Sequence, residues 1–274
     1  MTRSNSLNKT LTTSSQRLGV VIVLLYACFI GLPILALVIK SASSGSVTKV
    51  LLSPITLQAI KLSLLTSLTS VIVILLIGTP VAYMISRSNL KFFKILDIFI
   101  ELPIILPPIV AGVAMLMAFG RQGILGGPLT QLGLNIPFTT TAVVFAQIFV
   151  SAPFYIRAAR ISFSSIDTDI EDLSRTLGKS PWYTFWHITI PLTWTGLTTG
   201  LALTWARSLS EFGATIMFAG NMIGETQTMP LGILTAMETD LDSALSLSLI
   251  LLLISLAILV GIHFLSNQIS KQRI

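Results

Sequence analysis

Gly178-Lys179-Ser180 is the part of this chain that looks most like a catalytic motif. It matches the end of a phosphate-binding loop, whose glycine-rich turn follows a strand and cradles the phosphates of a nucleotide. That loop needs a further glycine five positions before Gly178, where this chain has Leu173. The residues before Gly178 also have the pattern of a helix. We therefore expect no ATP hydrolysis by this chain and no cofactor of its own, with energy supplied by a separate subunit or an ion gradient.

A pair of opposite charges lies in an otherwise apolar segment. Arg207 and Glu211 are four residues apart, which places them on one face of a helix. Because a charge at membrane depth costs about 2.5–3.5 kcal/mol, such residues face each other or a cavity. The pair is either a gate on an anion path or a neutralised pair that fixes the helix. Nearby hydroxyls either line the same path or bond to their own helix backbone; they belong to Thr204, Ser208 and Ser210.

The sequence predicts no metal site. His187 and His263 are far apart and have no neighbouring cluster of ligands. The one cysteine, Cys28, lies inside an apolar run, so we expect a buried and unreactive thiol.

The composition is that of a membrane protein. Hydrophobic residues make up 53% of the chain and charged residues 10%, with a mean hydropathy of +0.87, whereas soluble domains carry about 25% charged residues. The net charge is +6, but the basic residues lie at the edges of apolar runs rather than on one surface. This pattern indicates membrane topology and contact with lipid, and not a nucleic-acid-binding surface.

Six apolar segments are long enough to cross a bilayer, which needs about 20 residues each. The first, 18–40, is too long for the core of a signal peptide, so we expect a retained helix. Residues 1–17 are predicted to be a disordered tail, 18–265 the transmembrane domain and 266–274 a second tail. The six segments lie near 18–40, 58–86, 98–119, 138–158, 190–212 and 243–265.

Two of these segments carry further signals. Prolines in the third segment predict a bent helix, which either lines a pathway or is simply kinked; they are Pro103, Pro107 and Pro108. In the fifth segment, small residues recur every fourth position and would allow close helix contact. That contact is either a dimer interface or packing within one subunit; the stripe consists of Gly196, Gly200, Thr204 and Ser208.

The distribution of Lys and Arg predicts the orientation. Basic residues cluster in both tails and in the loops around 87–94 and 157–179, whereas the opposite loops hold only Lys49 and Arg121. Since positive charge stays inside, both termini and the loop 164–191 should be cytoplasmic.

The loop 164–191 has the signals of a helix, a sharp turn and a second helix. Ser164 or Ser165 can cap the first helix, and the acidic residues that follow favour its positive end. Gly178 can end that helix in a left-handed conformation, and Ser180-Pro181 can begin the next one. Three residues form an apolar face on the first helix: Ile170, Leu173 and Leu177. On chemistry alone, docking to a partner and lying at the membrane surface are equally supported.

The spacing of this loop resembles the coupling loop of ABC-transporter permeases, in which Glu-Ala-Ala, three residues, Gly and nine residues precede Ile-x-Leu-Pro. Asp172 stands at the Glu position, Leu173 and Ser174 at the Ala pair, and Ile190 at the Leu position. The resemblance implies that an ATPase contacts this loop. The residues assigned to coupling are Asp172, Leu173, Ser174, Leu177, Gly178, Ile188 and Pro191.

Three other stretches are similar to molybdate permeases within the molybdate, tungstate and sulfate group. They read ARSLSEFGATIMFAGN (206–221), GETQTMPL (224–231) and ELPIILPPIVAG (101–112). The resemblance implies an all-α, polytopic, type I importer permease of about six transmembrane helices in the inner membrane. It would form a homodimer with two ATPase subunits, receive molybdate or tungstate from a binding protein, and work by alternating access. A sulfate or thiosulfate permease, an ion-gradient transporter and a membrane scaffold remain alternatives.

Overall fold

A computed structural model describes residues 3–271, and these residues form helices and no strand. The short helices lie between the long ones or at their ends. A π-helical turn, Phe185–Thr189, joins the ninth helix to the tenth. The helices are α1 (Arg3–Ser44), α2 (Val47–Leu51), α3 (Pro54–Arg87), α4 (Lys91–Ile105), α5 (Pro108–Phe119), α6 (Gly126–Gln131), α7 (Thr140–Ser164), α8 (Thr168–Thr176), α9 (Pro181–Thr184), α10 (Ile190–Leu209), α11 (Gly213–Phe218), α12 (Met229–Thr239) and α13 (Leu241–Lys271).

The structure bears out a polytopic helical protein, although the count of six spans is approximate. Within the described residues, 4 helices are long and apolar enough to cross a membrane, or up to 5 if α4 and α5 form one broken span. The apolar helices are parts of α1 and α13 and the whole of α3 and α7. The predicted fifth span corresponds to α10, which is less apolar because it carries several Thr residues, two Trp and Arg207.

The ends of the chain are partly described. Helix α1 begins at Arg3, inside the segment 1–17 for which the sequence predicts a disordered tail. Helix α13 continues to Lys271, into the segment predicted to be the second tail. Residues 1–2 and 272–274 of these predicted tails lie outside the described residues.

The predicted third span is broken rather than bent. Its two halves, α4 and α5, meet at an angle of 119°. Leu106 and Pro107 both have extended backbones, with ψ values of 131° and 135°. The cause is the pair Pro107-Pro108, because a residue that precedes proline is driven out of the helical region.

Helices α3, α7 and α10 form the centre of the bundle, and small residues let them approach closely. A Cβ placed on Gly200 of α10 would lie 2.7 Å from the Cβ of Ala158 on α7, and one placed on Gly196 would collide with Ser162. A Cβ on Gly78 of α3 would lie 3.1 Å from Ile156 of α7. The glycines of the predicted small-residue stripe therefore pack within the chain.

Polar side chains are buried between the same helices. Ser70 Oγ on α3 donates to Gln147 Oε1 on α7 at 3.0 Å, and Gln147 Nε2 donates to Thr66 Oγ1 at 3.2 Å. Trp205 Nε1 on α10 donates to Ser67 Oγ at 3.0 Å. These bonds satisfy groups that would otherwise be costly to bury, and so they fix the relative positions of the three helices.

Cys28 lies on α1 and is exposed, so the prediction of a buried thiol is wrong. The apolar run that contains it faces outward, because each described residue from 18 to 36 is exposed. An apolar run in a membrane helix identifies a surface for lipid as readily as a packed core.

Candidate functional site

Helix α8 begins at a different cap from the one predicted. Asp167 is the N-cap residue, and its Oδ1 accepts a hydrogen bond from the backbone N–H of Asp169 at 3.1 Å. Ser164 and Ser165 instead end α7, where Ser165 is the C-cap residue. Asp169 and Glu171 lie in the first turn of α8, where negative charge is favoured by the helix dipole.

Gly178 ends α8 in the left-handed conformation, as the sequence predicts. Its φ is +76°, and its N–H donates to Arg175 O at 2.9 Å while the next N–H, of Lys179, donates to Ser174 O at 3.2 Å. These two bonds form a Schellman motif. Nothing lies within 4 Å of a Cβ added at Gly178, so the glycine is required by the backbone conformation and not by space.

The second half of the loop leads directly into α10. Ser180 caps α9 by accepting from the N–H of Tyr183 at 3.1 Å, and Pro181 is the first helical residue, which confirms the prediction. The π turn contains Ile188 and lies just before Pro191. Proline has no N–H to donate and its ring displaces the carbonyl four residues earlier, which accounts for the widened turn. Here the N–H of Ile190 bonds to Phe185 O.

The predicted apolar face of α8 points away from the bundle. Ile170, Leu173 and Leu177 are 42%, 62% and 72% exposed, and Trp182 of α9 is 70% exposed. These four residues are called the outer face below. Asp172 is also exposed and forms an ion pair with Arg175 at 3.0 Å. The coupling motif thus presents an apolar surface with a charged edge, which has the character of a docking surface.

The opposite face of α8 is held to the rest of the chain. Ser174 Oγ lies 2.8 Å from Thr184 Oγ1 of α9, so this predicted coupling residue holds the two short helices together. Glu171 is 3% exposed and receives hydrogen bonds from three side chains. Its Oε1 accepts from Arg87 Nη2 at 2.8 Å and from Thr189 Oγ1 at 2.9 Å, and its Oε2 accepts from the Tyr83 hydroxyl at 3.1 Å.

The charge of Glu171 is maintained by these partners. Burial alone would raise the pKa of this carboxyl, but the hydrogen bonds from Arg87 and Thr189 and the positive charge of Arg87 lower it below its usual value. Arg87 lies at the end of α3 and also donates through Nη1 to Ile166 O at 3.3 Å. One buried ion pair therefore connects α3, α8 and the start of α10.

Sequence reasoning missed this cluster. From the sequence, Glu171 is only one of the acidic residues that favour the positive end of the helix, and Arg87 is only one of the basic residues that predict the orientation. A signal was present, because Glu171 and Ser174 are three residues apart and therefore share the face opposite the apolar residues. The partners in α3, about 85 positions away, have no local signal.

Arg207 and Glu211 do form the predicted pair, but not along a continuous helix. Helix α10 ends at Leu209, so Glu211 lies in the break before α11. Its Oε2 is 2.7 Å from Arg207 Nη2, and its Oε1 accepts from the N–H of Ala214 at 2.8 Å. The carboxylate thus neutralises Arg207 and also satisfies a backbone donor at the start of α11. Its side chain is fully buried.

The predicted pathway hydroxyls fall into two groups. Ser210 is exposed and bonds to its own helix backbone at Arg207 O, 3.2 Å away. Thr204 and Ser208 are 0% exposed, and within the described part of the chain neither hydroxyl has a hydrogen-bond partner. They continue the stripe whose glycines contact α7.

The two helix breaks are in contact with each other. A Cβ on Gly213, the first residue of α11, would lie 2.7 Å from Cβ of Pro108, the first residue of α5. A Cβ on Gly112 would lie 2.7 Å from Ala214 O. Broken helices at membrane depth are tolerated where they are packed or line water. The break between α4 and α5 and the break between α10 and α11 therefore form one irregular region, next to the Arg207–Glu211 pair.

The described residues contain no group of three His, Cys, Asp or Glu side chains that could hold a metal ion. Gly178-Lys179-Ser180 forms the turn between two helices. The arrangement therefore offers an outward apolar surface at one end of the bundle and a charged, irregular region near the end of α10.

Comparison with known proteins decides the family. A family described as "Binding-protein-dependent transport system inner membrane component" matches residues 74–271. The chain belongs to this family. It is an inner-membrane transport component, as the resemblance of the coupling motif implied.

Relatives of this transport component include permease proteins. The probable transport system permease protein NifC of Clostridium pasteurianum is 40% identical over 237 residues, 86% of this chain and 82% of that protein. The molybdenum transport system permease protein ModB of Mycobacterium tuberculosis is 37% identical over 234 residues, 85% and 88% of the two chains. The sulfate transport system permease protein CysW of Synechococcus elongatus is 36% identical over 217 residues, 78% and 76% of the two chains.

Solved structures agree on the fold. A chain from the crystal structure of a bacterial alginate ABC transporter, in complex with an alginate-bound periplasmic protein, has a TM-score of 0.73. The match covers 99% of each chain at 16% identity, so it shows the architecture of an ABC importer permease and nothing about the substrate.

Proposed function

We propose that this chain is the permease subunit of an ATP-driven importer that carries molybdate, and the similar tungstate, into the cell by alternating access. Two copies would pair in the inner membrane. Two ATPase subunits would bind on the cytoplasmic side, and a binding protein would deliver the anion on the other. Both chain termini would then be cytoplasmic, in agreement with the distribution of Lys and Arg.

The observation that carries this proposal is the outer face of α8 and α9. An apolar surface on a short helix outside the bundle is suited to insertion into a groove of a partner protein. The residues proposed to couple ATP hydrolysis to transport are those of the family-like motif in and after α8. Leu173 and Leu177 would make apolar contact with the ATPase, and Asp172 would lie at the edge. Gly178, Ile188 and Pro191 would set the geometry of the turn and the entry into α10, and Ser174 would join α8 to α9.

The region of the two helix breaks is proposed to contain the gate. Arg207 supplies a positive charge, and Glu211 balances it so that the anion is not trapped. Thr204 and Ser208 add buried hydroxyls, while Ser210 lies at the exposed end. An oxyanion can pass such a region without binding tightly, and weak binding permits fast release.

Molybdate is favoured over sulfate for two reasons. The ModB protein of Mycobacterium tuberculosis is named for molybdenum transport, and it is 37% identical to this chain over 234 residues, whereas the sulfate relative CysW is 36% identical over 217 residues. The stretch 214–221, ATIMFAGN, is also more like molybdate permeases. A secondary transporter driven by an ion gradient is disfavoured by the family match, which is to binding-protein-dependent systems.

A reconstituted complex tests this proposal. The chain is purified with its ATPase and placed in nanodiscs, and ATP turnover is measured with binding protein loaded with molybdate, tungstate or sulfate. We expect molybdate and tungstate to stimulate turnover and sulfate to have no effect. Stimulation by sulfate alone would assign the chain to the sulfate permeases. Calorimetry on the isolated chain should show weak or no molybdate binding. Sub-micromolar binding would contradict the proposal that the anion passes through the chain without binding tightly.

A further inference from the structure

We propose that Glu171 is a positioning residue that passes the movement of α8 to α3 and α10 together. This inference rests on the proposed coupling role of α8. The residue lies one position before the family-like motif and is not part of it. Its role would be mechanical, acting through Arg87 and Thr189, with no contact to the anion or to ATP.

The first argument is the number of elements that meet at one carboxylate. Arg87 and Tyr83 come from the last turns of α3, and Thr189 comes from the π turn that begins α10. All three donate to Glu171, at 2.8, 3.1 and 2.9 Å respectively. A carboxylate with one charged and two hydroxyl donors has a fixed position and orientation, because hydrogen bonds to a charged group are short and strong. Displacing Glu171 therefore displaces all three partners.

The second argument is how α8 is attached. Its outer face contributes exposed apolar residues, whereas its buried residues are Glu171 and Ser174. Ser174 bonds to Thr184 of α9, so it links the two short helices to each other. Glu171 is the buried α8 residue that reaches a membrane-spanning helix. Arg87 also donates to Ile166 O, in the linker before α8, at 3.3 Å. The end of α3 therefore contacts the chain both before and after Asp167, the N-cap residue of α8.

The third argument is that one of the partners, Tyr83, is itself packed in an aromatic cluster. The Tyr83 ring packs edge-to-face on Phe163 of α7 and on Phe185 of the π turn, with centroid distances of 5.5 and 5.0 Å. Phe163 is fully buried. This aromatic cluster fixes the Tyr83 hydroxyl and connects α3, α7 and the start of α10 beneath the carboxylate. We call Glu171 and its three donors the Glu171 joint. Because directional hydrogen bonds and packed rings hold this joint in place, a displacement of α8 should pass through it to α3 and α10.

The alternative is that the ion pair only stabilises the folded loop. Both ideas predict that removing the pair harms the protein, so expression and total activity cannot separate them. They differ in the ratio of molybdate taken up to ATP hydrolysed. A stabilising pair changes the amount of folded protein and leaves the ratio unchanged. A joint changes the ratio, because ATP hydrolysis continues while the spans follow it less faithfully.

The test uses the full permease–ATPase complex in proteoliposomes, with its binding protein, and measures molybdate uptake and ATP hydrolysis in the same vesicles. Glu171→Gln keeps the size of the side chain and removes its charge. Thr189→Val removes only the hydroxyl that donates to Glu171 from the π turn before α10, and it serves if Glu171→Gln fails to fold. Asp169→Asn is the matched control, because this acidic residue of the same first turn is exposed.

We expect Glu171→Gln and Thr189→Val each to lower uptake per ATP by about fivefold or more, the lower range for coupling between sites. Asp169→Asn should leave the ratio unchanged. If Glu171→Gln and Thr189→Val lower uptake and hydrolysis in parallel at a constant ratio, or lower neither, the proposal that Glu171 passes on the movement of α8 is wrong. Gly178→Val separates the two proposals. If it lowers the ratio and Glu171→Gln does not, the joint fails and the coupling role of α8 stands. If neither variant lowers the ratio, the coupling role itself fails.

Discussion

Glu211 lies beyond the last residue of α10, yet its Oε2 is 2.7 Å from Nη2 of Arg207 within that helix. Its other oxygen holds the N–H of Ala214 at the start of α11. One buried carboxylate therefore bridges a helix break and balances a positive charge at the same time. These contacts support the structural interpretation of the pair, whereas its place on an anion pathway stays a prediction.

Removing one member of this pair should be worse than removing both. Breaking a buried ion pair by losing one partner costs about 3–5 kcal/mol, because the other charge is left unbalanced. We expect Arg207→Leu to lower the melting temperature of the purified chain more than Arg207→Leu combined with Glu211→Gln. The variant Glu211→Gln is used because its amide oxygen can still accept from Ala214. Thermal unfolding in detergent measures the four members of the cycle.

Molybdate uptake by the same variants shows whether Arg207 only stabilises the fold or also contacts the anion on its path. If Arg207 only locks the structure, the double variant should regain uptake as well as stability. If Arg207 meets the anion, the double variant should be stable but inactive, which is the result that the proposed gate requires. Additive effects on the melting temperature would contradict the pairing seen in the structure.

Gly178→Val should uncouple ATP hydrolysis from transport while the chain remains folded and inserted. A β-branched residue is disfavoured at a φ of +76°, and a left-handed conformation costs an L residue about 1–2 kcal/mol. Gly133 offers a matched control, with a φ of +73°, open space around it and the same pair of closing hydrogen bonds after α6. Gly133→Val should carry the same strain and leave uptake per ATP unchanged. Undiminished uptake by Gly178→Val in reconstituted vesicles would remove the support for coupling through α8.

Gly200→Ala should destabilise the chain because the new Cβ would lie 2.7 Å from that of Ala158. Overpacking of this kind costs about 1–3 kcal/mol. Gly261→Ala in α13 is the control, since nothing lies within 4 Å of its added Cβ. Ala158→Gly should partly rescue Gly200→Ala by removing the opposing methyl group. Melting temperatures test this, and a change in oligomeric state without loss of stability would instead indicate a dimer interface.

The attachment of α8 should resist mild acid. The pKa of Glu171 is lowered from 4.5 in the folded chain, so its ion pair with Arg87 contributes fully above pH 4.5. That contribution is lost only as the pH falls through the lower, folded-state pKa. Hydrogen exchange of residues 168–176, corrected for intrinsic rates, should show constant protection from pH 7 to about 5 and a loss at lower pH. Glu171→Gln should remove this acid-dependent step, because the amide that replaces the carboxylate does not titrate. If the loss of protection at low pH persists in Glu171→Gln, a group other than Glu171 is responsible for it.

The sequence predicted the helical loop well because its signals are local. The left-handed Gly178, the cap at Ser180 and the outward apolar residues of α8 each depend on a few neighbouring positions. The first cap was assigned to the wrong residue, since Ser164, Ser165 and Asp167 can all accept a hydrogen bond from a backbone N–H. The chain uses Asp167, because α7 continues to Ser164.

The contacts between distant segments were not predictable in the same way. The spacing of Arg207 and Glu211 indicated a pair, but it did not show that the helix ends between them. The prolines after Leu106 indicated a bend, but not its size or its contact with α11. The partners of Glu171 lie in α3 and the π turn, and only the packing of the whole bundle brings them together.

Molybdate uptake into proteoliposomes that contain the chain, its ATPase and its binding protein tests the central claim most directly. Vesicles are loaded so that ATP reaches the ATPase side, and labelled molybdate or sulfate is supplied with the binding protein on the other side. We predict molybdate accumulation that requires hydrolysable ATP, persists when ion gradients are collapsed, and is not matched by sulfate. Uptake driven by an ion gradient without ATP, or ATP-driven uptake of sulfate alone, would contradict the account.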